Sequence, residues 1–456
     1  MIYVLVRSQN KIHSSLRKIN FTQNFQVAVI LRKTSRWRLF SSNNHITPDR
    51  SRRAMNYNWY YIWLMMIAKK WANEEEEERP YRRPHSRYQK RFHRSLMHED
   101  RQLRQRRIPR VSLHDTHLSS WRRLYFSEND QALITLTGLD HATFHHLLQL
   151  FQPIFNNYTP FGEGDQIRKI SPRGRKRAVQ ALDILGLVLA WTRTRGSLLS
   201  LQLHFGLSMT NLSIYLRFGH RIVVEVLKNN PLAAIKIPSP AKVKEYKQLV
   251  AEKYPALTDV WASMDGMKTP IQQASTTKEQ GYYYNGWKHN HFVTSVFCFC
   301  PDGTIPIACM NVPGSMHDSS IADFGGIYDK LAALYETTGA ITCVDSAFRM
   351  RNQPYIIKSS QERQGEGDTF AAVRRDVIQK RQATSMRQSS EWGMRALQSS
   401  FPRMCDRLVF EQKGERRIAL KMMIYLYNLR ARMVGINQIK NFFQPALIRD
   451  ARSLIN

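Results

Sequence analysis

The chain predicts an α/β domain, a mixed sheet flanked by helices, preceded by an α-helical region with a helix-turn-helix-like segment. Three observations carry that expectation. After Pro231 and the PSPAKVKEY linker the pattern changes to strand-like apolar runs that alternate with helical patterns. Residues 116–230 instead repeat apolar side chains every three to four positions, the signature of buried helix faces. Two of the strand-like runs finish in an aspartate, DVWASMDG at Asp265 and AITCVDSAF at Asp345. A carboxylate that close to apolar sequence is costly to bury unpaired, so each marks a strand end where something takes up the charge.

Taken in order, residues 1–54 form a basic N-terminal extension whose Lys and Arg residues face a single acid, Asp49. Three readings stay open: a mitochondrial transit peptide, an extension upstream of a start at Met55, and a basic nuclear arm. Residues 55–115 form a charged linker, largely disordered, with the acid run Glu74–Glu78 followed by RPYRRPHSRYQKRFHRS and RQLRQRRIPR, blocks whose like charges resist packing. Their basic parts suit nuclear import and DNA-backbone contact. Within the linker, WYYIWLMMIA (Trp59–Ala68) is too short to span a bilayer and reads as a buried or partner-binding helix.

In the helical region, 116–230, Leu139, Phe144, Leu147, Leu148, Phe151 and Ile154 would share one buried face. A second helix is expected from about Arg177 to Thr194. The segment SLLSLQLHFGLSMTNLSIYLRFGHRIVVEVL then predicts a short helix (Ser197–Phe205), a turn at Gly206-Leu207-Ser208, and a longer helix from about Thr210 capped by Ser208 or Thr210. That is a helix-turn-helix pattern, with a plain helical hairpin as the alternative. Arg217, His220 and Arg221 are its candidate phosphate contacts.

Residues 231–440 carry the predicted sheet, and 441–456 a C-terminal tail. Val260–Asp265 is the first strand. HFVTSVFCFCPDGTIPIACMNV reads as a hairpin turning at Pro-Asp-Gly. Asp318–Tyr335 reads as a helix broken at Gly325-Gly326, Ala340–Val344 as a further strand, and EWGMRALQSSF as a helix opened by Glu391. The apolar run IALKMMIYLYNLRARMVGINQI predicts a long closing helix packed on the core.

Composition narrows the function classes. Lys+Arg total 68 against 36 Asp+Glu, a formal net charge of +32 and a pI near 10.2, which points to a polyanionic partner such as DNA or RNA. The five cysteines include no CxxC pair, which argues against a zinc site or a disulfide framework; Cys298 and Cys300 read as buried strand residues. No apolar run reaches membrane-spanning length. Carboxylates gathered at strand ends suit hard, oxygen-ligated cations, and two such cations can clamp an in-line displacement at phosphorus.

Strand with Asp265, hairpin, helix with Asp318, strand with Asp345, and helix with Glu391 is the element order of an RNase H-like fold. The strings MDGMKTPI, YYYNGWKHNHF, VPGSMHDSSI, CVDSAF and RQSSEWGMR resemble the DDE endonuclease domain of PIF/Harbinger-type transposases, in the plant-transposon-like branch. The resemblance covers about 230–440 well and the region from 120 more loosely. It implies a DNA-cutting and strand-transferring enzyme with Asp265, Asp345 and Glu391 as the catalytic acids. Those three would hold a pair of Mg²⁺ or Mn²⁺ ions. The Gly314-Ser315-x-x-Asp318 segment adds Asp318, which is also a good helix-capping residue; ligand and cap both stay open. Glu362, Glu366 and Asp368, in a polar insertion, are rivals to Glu391. Lys268, Lys288, His289 and Arg387 are candidate DNA contacts, with Trp287 and His317 beside them, and Tyr282–Tyr284 are either stacking or core aromatics. The resemblance further implies a Myb-like DNA-binding partner, and a homo-oligomer and a nuclear location are expected. A domesticated DNA-binding protein without catalysis is the rival reading.

Overall fold

The computed structural model describes residues 3–7, 26–33, 36–40, 108–160, 168–169, 177, 179–273, 277–348, 353–358, 370–409 and 412–444. Most of the predicted linker, the stretch Trp59–Ala68, and Glu362, Glu366 and Asp368 lie outside them.

The chain divides into two compact units, Met1–His98 and Glu99–Asn456. In the first, strands β1 (Tyr3–Arg7), β2 (Gln26–Lys33) and β3 (Arg36–Phe40) pair antiparallel in sequence order.

The second unit opens with helices α1 (Ser120–Phe126), α2 (Asp130–Thr137) and α3 (His141–Asn157). Side chains of Ser119, Asn129 and Asp140 cap their N-termini. The predicted face of α3 is buried, with Phe144, Leu147, Leu148 and Phe151 inside. A short antiparallel pair, β4 (Tyr158–Thr159) and β5 (Arg168–Lys169), follows. Helix α4 (Ala181–Arg193) is held by Asp183, whose carboxylate accepts from the Gln180 N–H at 3.1 Å and takes both arms of the Arg122 guanidinium at 2.8 Å. Gly186 of α4 lets the Trp121 ring lie directly on the helix backbone, where any side chain would collide with it.

Helices α5 (Leu199–Phe205) and α6 (Met209–Leu227) are joined through Gly206, in the left-handed region at φ +64°, and the Ser208 hydroxyl accepts from the Asn211 N–H. The helix, turn and helix stand where the sequence predicts them. Helix α6 is enclosed on most of its circumference, with Leu212, Leu216, Phe218, Ile222 and Val223 all buried. Much of that enclosure comes from α12 (Lys413–Met433), the predicted closing helix. A single hydrophobic core therefore runs across residue 230, joining the helical region to the sheet.

The sheet is built on β6 (Val260–Pro270). Strand β8 (Asn290–Phe299) pairs antiparallel with β6, and β9 (Ile307–Pro313) and the short β7 (Tyr284–Asn285) pair antiparallel with β8. On the other side β10 (Ile341–Val344) runs parallel to β6, and β11 (Ile356–Lys358) parallel to β10. Leaving out the short β7 and numbering from β6, the path is fifth, fourth, first, second and third strand, a mixed order consistent with an RNase H-like domain. The Pro-Asp-Gly turn forms as predicted: Asp302 accepts from the Thr304 backbone and hydroxyl, and Gly303 takes φ +80°. Cys298 and Cys300 are buried.

Helices α7 (Pro240–Lys253), α8 (Thr277–Tyr283), α9 (Asp318–Phe324) and α10 (Ile327–Thr338) accompany the strands. The predicted break at Gly325-Gly326 separates α9 from α10, with Gly326 left-handed at φ +58°. The largest departure from expectation is α11, Phe370–Ser400. Glu391 lies deep inside this helix rather than opening it. The helix buries Ala383, Met386, Ser389, Ser390 and Leu397, with Gly393 against Phe299, whereas residues 373–382 are exposed or half-buried, so its N-terminal half reads as polar sequence. The last helix, α13 (Gln438–Phe443), crosses residue 440, where the sequence predicts a tail to begin, because Phe442 and Phe443 pack on Tyr254. Among the described residues no helix is long and apolar enough to cross a membrane.

Candidate active site

Register places the first two acids. Val344 at the end of β10 is paired with Met264 of β6, so Asp345, just past β10, stands beside Asp265; β6 continues to Pro270, so Asp265 sits within its strand rather than at the strand end that the sequence predicts. Strand periodicity sends Ser263 and Asp265 to one face, and Cys343 and Asp345 to the same face. That face is covered by α11. The Ser389 hydroxyl donates to the Met386 carbonyl at 2.7 Å, which leaves Ser263 to donate to Ser389, also at 2.7 Å. The Cys343 thiol donates to the Ala383 carbonyl, and Gly393 lies flat on the Phe299 ring. These contacts fix the rotation of α11 and turn Arg387 toward Asp345, with Glu391 beside it. The Ser263–Ser389 pair is a positioning element that the sequence pattern does not single out; its one signal is the small pair Ser389-Ser390.

Arg387 bridges the strand and helix acids. Its Nη1 stands 3.4 Å from Asp345 Oδ1 and its Nη2 3.4 Å from Glu391 Oε1, with side-chain exposures of 26%, 32% and 39% for the three. Its buried Nε has no hydrogen-bond partner among the described residues. Charge-assisted pairs normally close to about 2.8 Å, so this is a loose electrostatic bridge rather than a locked fork.

Asp265 is half-buried and accepts from the Gly266 N–H at 2.7 Å. Burial, together with the negative charges of Asp345 and Asp318, raises its carboxyl to about 6. Burial likewise raises Asp318, against the lowering pull of Lys268 and His317.

The position of Asp318 accounts for two motifs at once. Its carboxylate lies over Gly266, where an added Cβ would come within 2.5 Å of both oxygens. Only glycine after Asp265 leaves that space. Since Gly266 faces the opposite way from Asp265, Asp318 approaches the strand from the other side, next to Lys268. It is the first residue of α9, and the N-cap is His317, with no side-chain capping bond. The capping alternative for Asp318 is thereby corrected: its carboxylate goes to the strand and not to the helix N-terminus.

The Asp345-Ser-Ala-Phe348 turn has a similar logic. The Phe348 N–H donates to the Asp345 carbonyl at 3.1 Å, and the fully buried Phe348 ring anchors the turn that displays Asp345.

The other predicted contacts separate into three groups. Lys268 is close enough to Asp318 to lower its carboxyl. Lys288 and His289 lie on a turn between β7 and β8, with Trp287 almost wholly exposed beside them. Of the three tyrosines, Tyr283 is buried while Tyr282 and Tyr284 are exposed. Away from the sheet, Arg217 is exposed on α6, whereas Arg221 donates to Glu415 of α12 at 2.5 Å, so its charge is engaged inside the protein. His220 packs on Trp191, and burial, with Arg403 and Arg221 nearby, pushes it down to about 3.

The donor set is chemically suited to a hard divalent cation: four carboxylates, of which Asp265 is held above its ordinary range partly by the other two aspartates. The spacing is wider than a cation cage, since among the described residues no three His, Cys, Asp or Glu side chains stand close enough to hold one ion.

A family model described as DDE superfamily endonuclease matches residues 264–428. The match begins one residue before Asp265 and takes in Asp318, Asp345, Arg387 and Glu391. This segment is thus similar to DDE transposase-like nucleases, in agreement with the mixed sheet and the placement of the acids. No curated protein and no solved structure matches the chain.

Proposed function

We propose that the protein is a metal-dependent DNA endonuclease of the transposase type, in the PIF/Harbinger branch, cutting at transposon ends and joining the freed 3′-OH to target DNA. The observation that carries this reading is the side-by-side placement of Asp265, within β6, and Asp345, just past the parallel β10, with Glu391 linked to Asp345 through Arg387 of the helix that covers them. Asp265, Asp345 and Glu391 would hold two Mg²⁺ or Mn²⁺ ions, with Asp318 at the flank. When bound, such a pair supplies the charge that activates a water or 3′-OH and steadies the leaving 3′-oxygen. In the hydrolytic step water attacks phosphorus, the bond to the 3′-oxygen breaks, and the products are a 3′-OH and a 5′-phosphate.

The chain's own residues prepare that step. Asp265 must shed its proton to serve as a ligand, and the pull of Arg387 assists. Arg387 keeps Asp345 and Glu391 facing each other, and its loose bridge leaves both free to turn toward an incoming cation. Lys268 and His317 offset the charge of Asp318 and would be the phosphate contacts beside it. DNA is the substrate that the +32 charge supports. A Myb-like partner, a homo-oligomer and a nuclear location belong to the same proposal.

The second reading, a domesticated DNA-binding protein without catalysis, is favoured by one observation: among the described residues no three acids converge, and Arg387 spans two of them. Nicking of terminal-inverted-repeat DNA separates the readings. The enzyme reading expects Mg²⁺- or Mn²⁺-dependent 3′-OH ends, lost in Asp345→Asn. Tight DNA binding with no metal-dependent nicking would establish the second.

A further inference from the structure

The hairpin tip Gly286-Trp287-Lys288-His289 is not used by the chemistry above, yet it is built with care. The indole of Trp287 is 86% exposed, the nearby Tyr284 is partly exposed with its ring against His291, and Lys288 and His289 follow directly. An exposed indole gains the fold nothing. The tip beneath it is nevertheless rigid. The Lys288 N–H donates to both the carbonyl (3.2 Å) and the side chain (3.0 Å) of Asn285, and His289 takes the left-handed φ of +48° that closes the turn.

The tip is also tied to the acids. The Asn285 side-chain amide donates to the Gly314 carbonyl at 2.8 Å, and the Ser315 hydroxyl donates to the Tyr282 carbonyl at 2.7 Å. Gly314 and Ser315 lead directly into Asp318, whose carboxylate rests on Gly266 next to Asp265. Asp265 is paired with Phe297, seven residues along β8 from Asn290, so the tip stands roughly 23 Å from the acid at about 3.3 Å per residue. Lys268 lies on that path, paired with Thr294.

We infer that Trp287 is a stacking post for an unpaired DNA base, and that it grips the single-stranded or frayed flank of the DNA whose backbone passes the acids. The inference rests on the nuclease reading and adds to it the form of the substrate. A bare aromatic face accepts any base, and such stacking is sequence-tolerant. The base must be unpaired, because in a duplex both of its faces are already stacked. Lys288 and His289 supply the phosphate contacts next to the stacked base.

The test uses the full chain without added divalent cation, so that DNA stays intact. Two probes carry 2-aminopurine, one in a short single-stranded overhang and one inside a blunt duplex. The expected result is quenching of the overhang probe on binding, reversed in Trp287→Ala, with overhang affinity down roughly 5- to 150-fold and blunt-duplex affinity unchanged. Trp287→Phe should keep most of the affinity, and unchanged melting of Trp287→Ala shows that the fold is intact. Equal affinities of wild type and Trp287→Ala for the overhang probe would overturn the inference while leaving the nuclease reading in place. Equal weakening for both probes would make Trp287 a general backbone contact and overturn it too. If the wild-type chain binds neither probe, the nuclease reading falls and the inference with it.

Discussion

Two arginines in this molecule hold carboxylates, in opposite ways. Arg122 grips Asp183 with two bonds of 2.8 Å, at side-chain exposures of 11% and 1%, and Asp183 also caps α4. Arg387 reaches toward two different acids at 3.4 Å each, in a partly open site, with its Nε unpartnered among the described residues. The first pair is closed and satisfied, so it orders the helical core. The second is open and under-satisfied, an arrangement that keeps acids near one another and leaves them able to receive something else. The difference teaches that an arginine's role is read from how completely it is satisfied, not from the presence of an acid nearby.

The largest effect should come from breaking the closed pair. Arg122→Ala leaves Asp183 buried and uncompensated, and should cost about 3–5 kcal/mol of stability by denaturant unfolding. A loss well below about 1 kcal/mol, the usual ceiling for an exposed pair, would show that the pair is not structural. Next, Gly266→Ala forces a methyl into the Asp318 carboxylate, and should cost about 1–3 kcal/mol as overpacking. The double variant Gly266→Ala/Asp318→Ala should recover part of that loss, and no recovery would put the strain elsewhere. Arg387→Gln removes a bridge between half-exposed groups and should change stability by no more than about 1 kcal/mol. It should nevertheless depress metal-dependent cleavage, and this split between stability and activity is what sets the two arginines apart.

These contrasts mark what the sequence could and could not tell. The strands carrying Asp265 and Asp345 were legible from their apolar runs, and Asp345 does follow the end of its strand; Asp265 does not, because β6 continues through the mixed sequence of residues 266–270 by pairing with β8, which only the folded sheet reveals. The hairpin and the α9–α10 break were legible from Pro-Asp-Gly and Gly-Gly. The length of α11 was not, because residues 373–382 bury little against the sheet and so send no hydrophobic signal. Nor was the pairing of Arg221 with Glu415, which joins residues 194 positions apart through tertiary packing alone. Asp318 looked like a helix cap because capping is a local pattern, whereas its contact with Gly266 depends on the folded sheet.

The smallest effect is one of pH. Asp265 titrates near 6 when folded, above its ordinary 3.8, so the cation-free fold holds that proton more tightly than the unfolded chain does. The associated stability is complete below about pH 4 and is lost as pH rises through about 6. Melting temperatures without cation should therefore fall more across that window in the wild type than in Asp265→Asn. Added Mg²⁺ should offset the fall, because cation binding displaces the proton. Parallel curves for the two proteins would place the titration elsewhere.

The central claim, that Asp265, Asp345 and Glu391 form a divalent-cation site, is tested most directly by calorimetric titration of Mn²⁺ into the full chain and into Asp345→Asn. The account predicts saturable binding in the wild type, strengthening as pH rises through about 6, and its loss or marked weakening in the variant. Indistinguishable isotherms for the two proteins would contradict it.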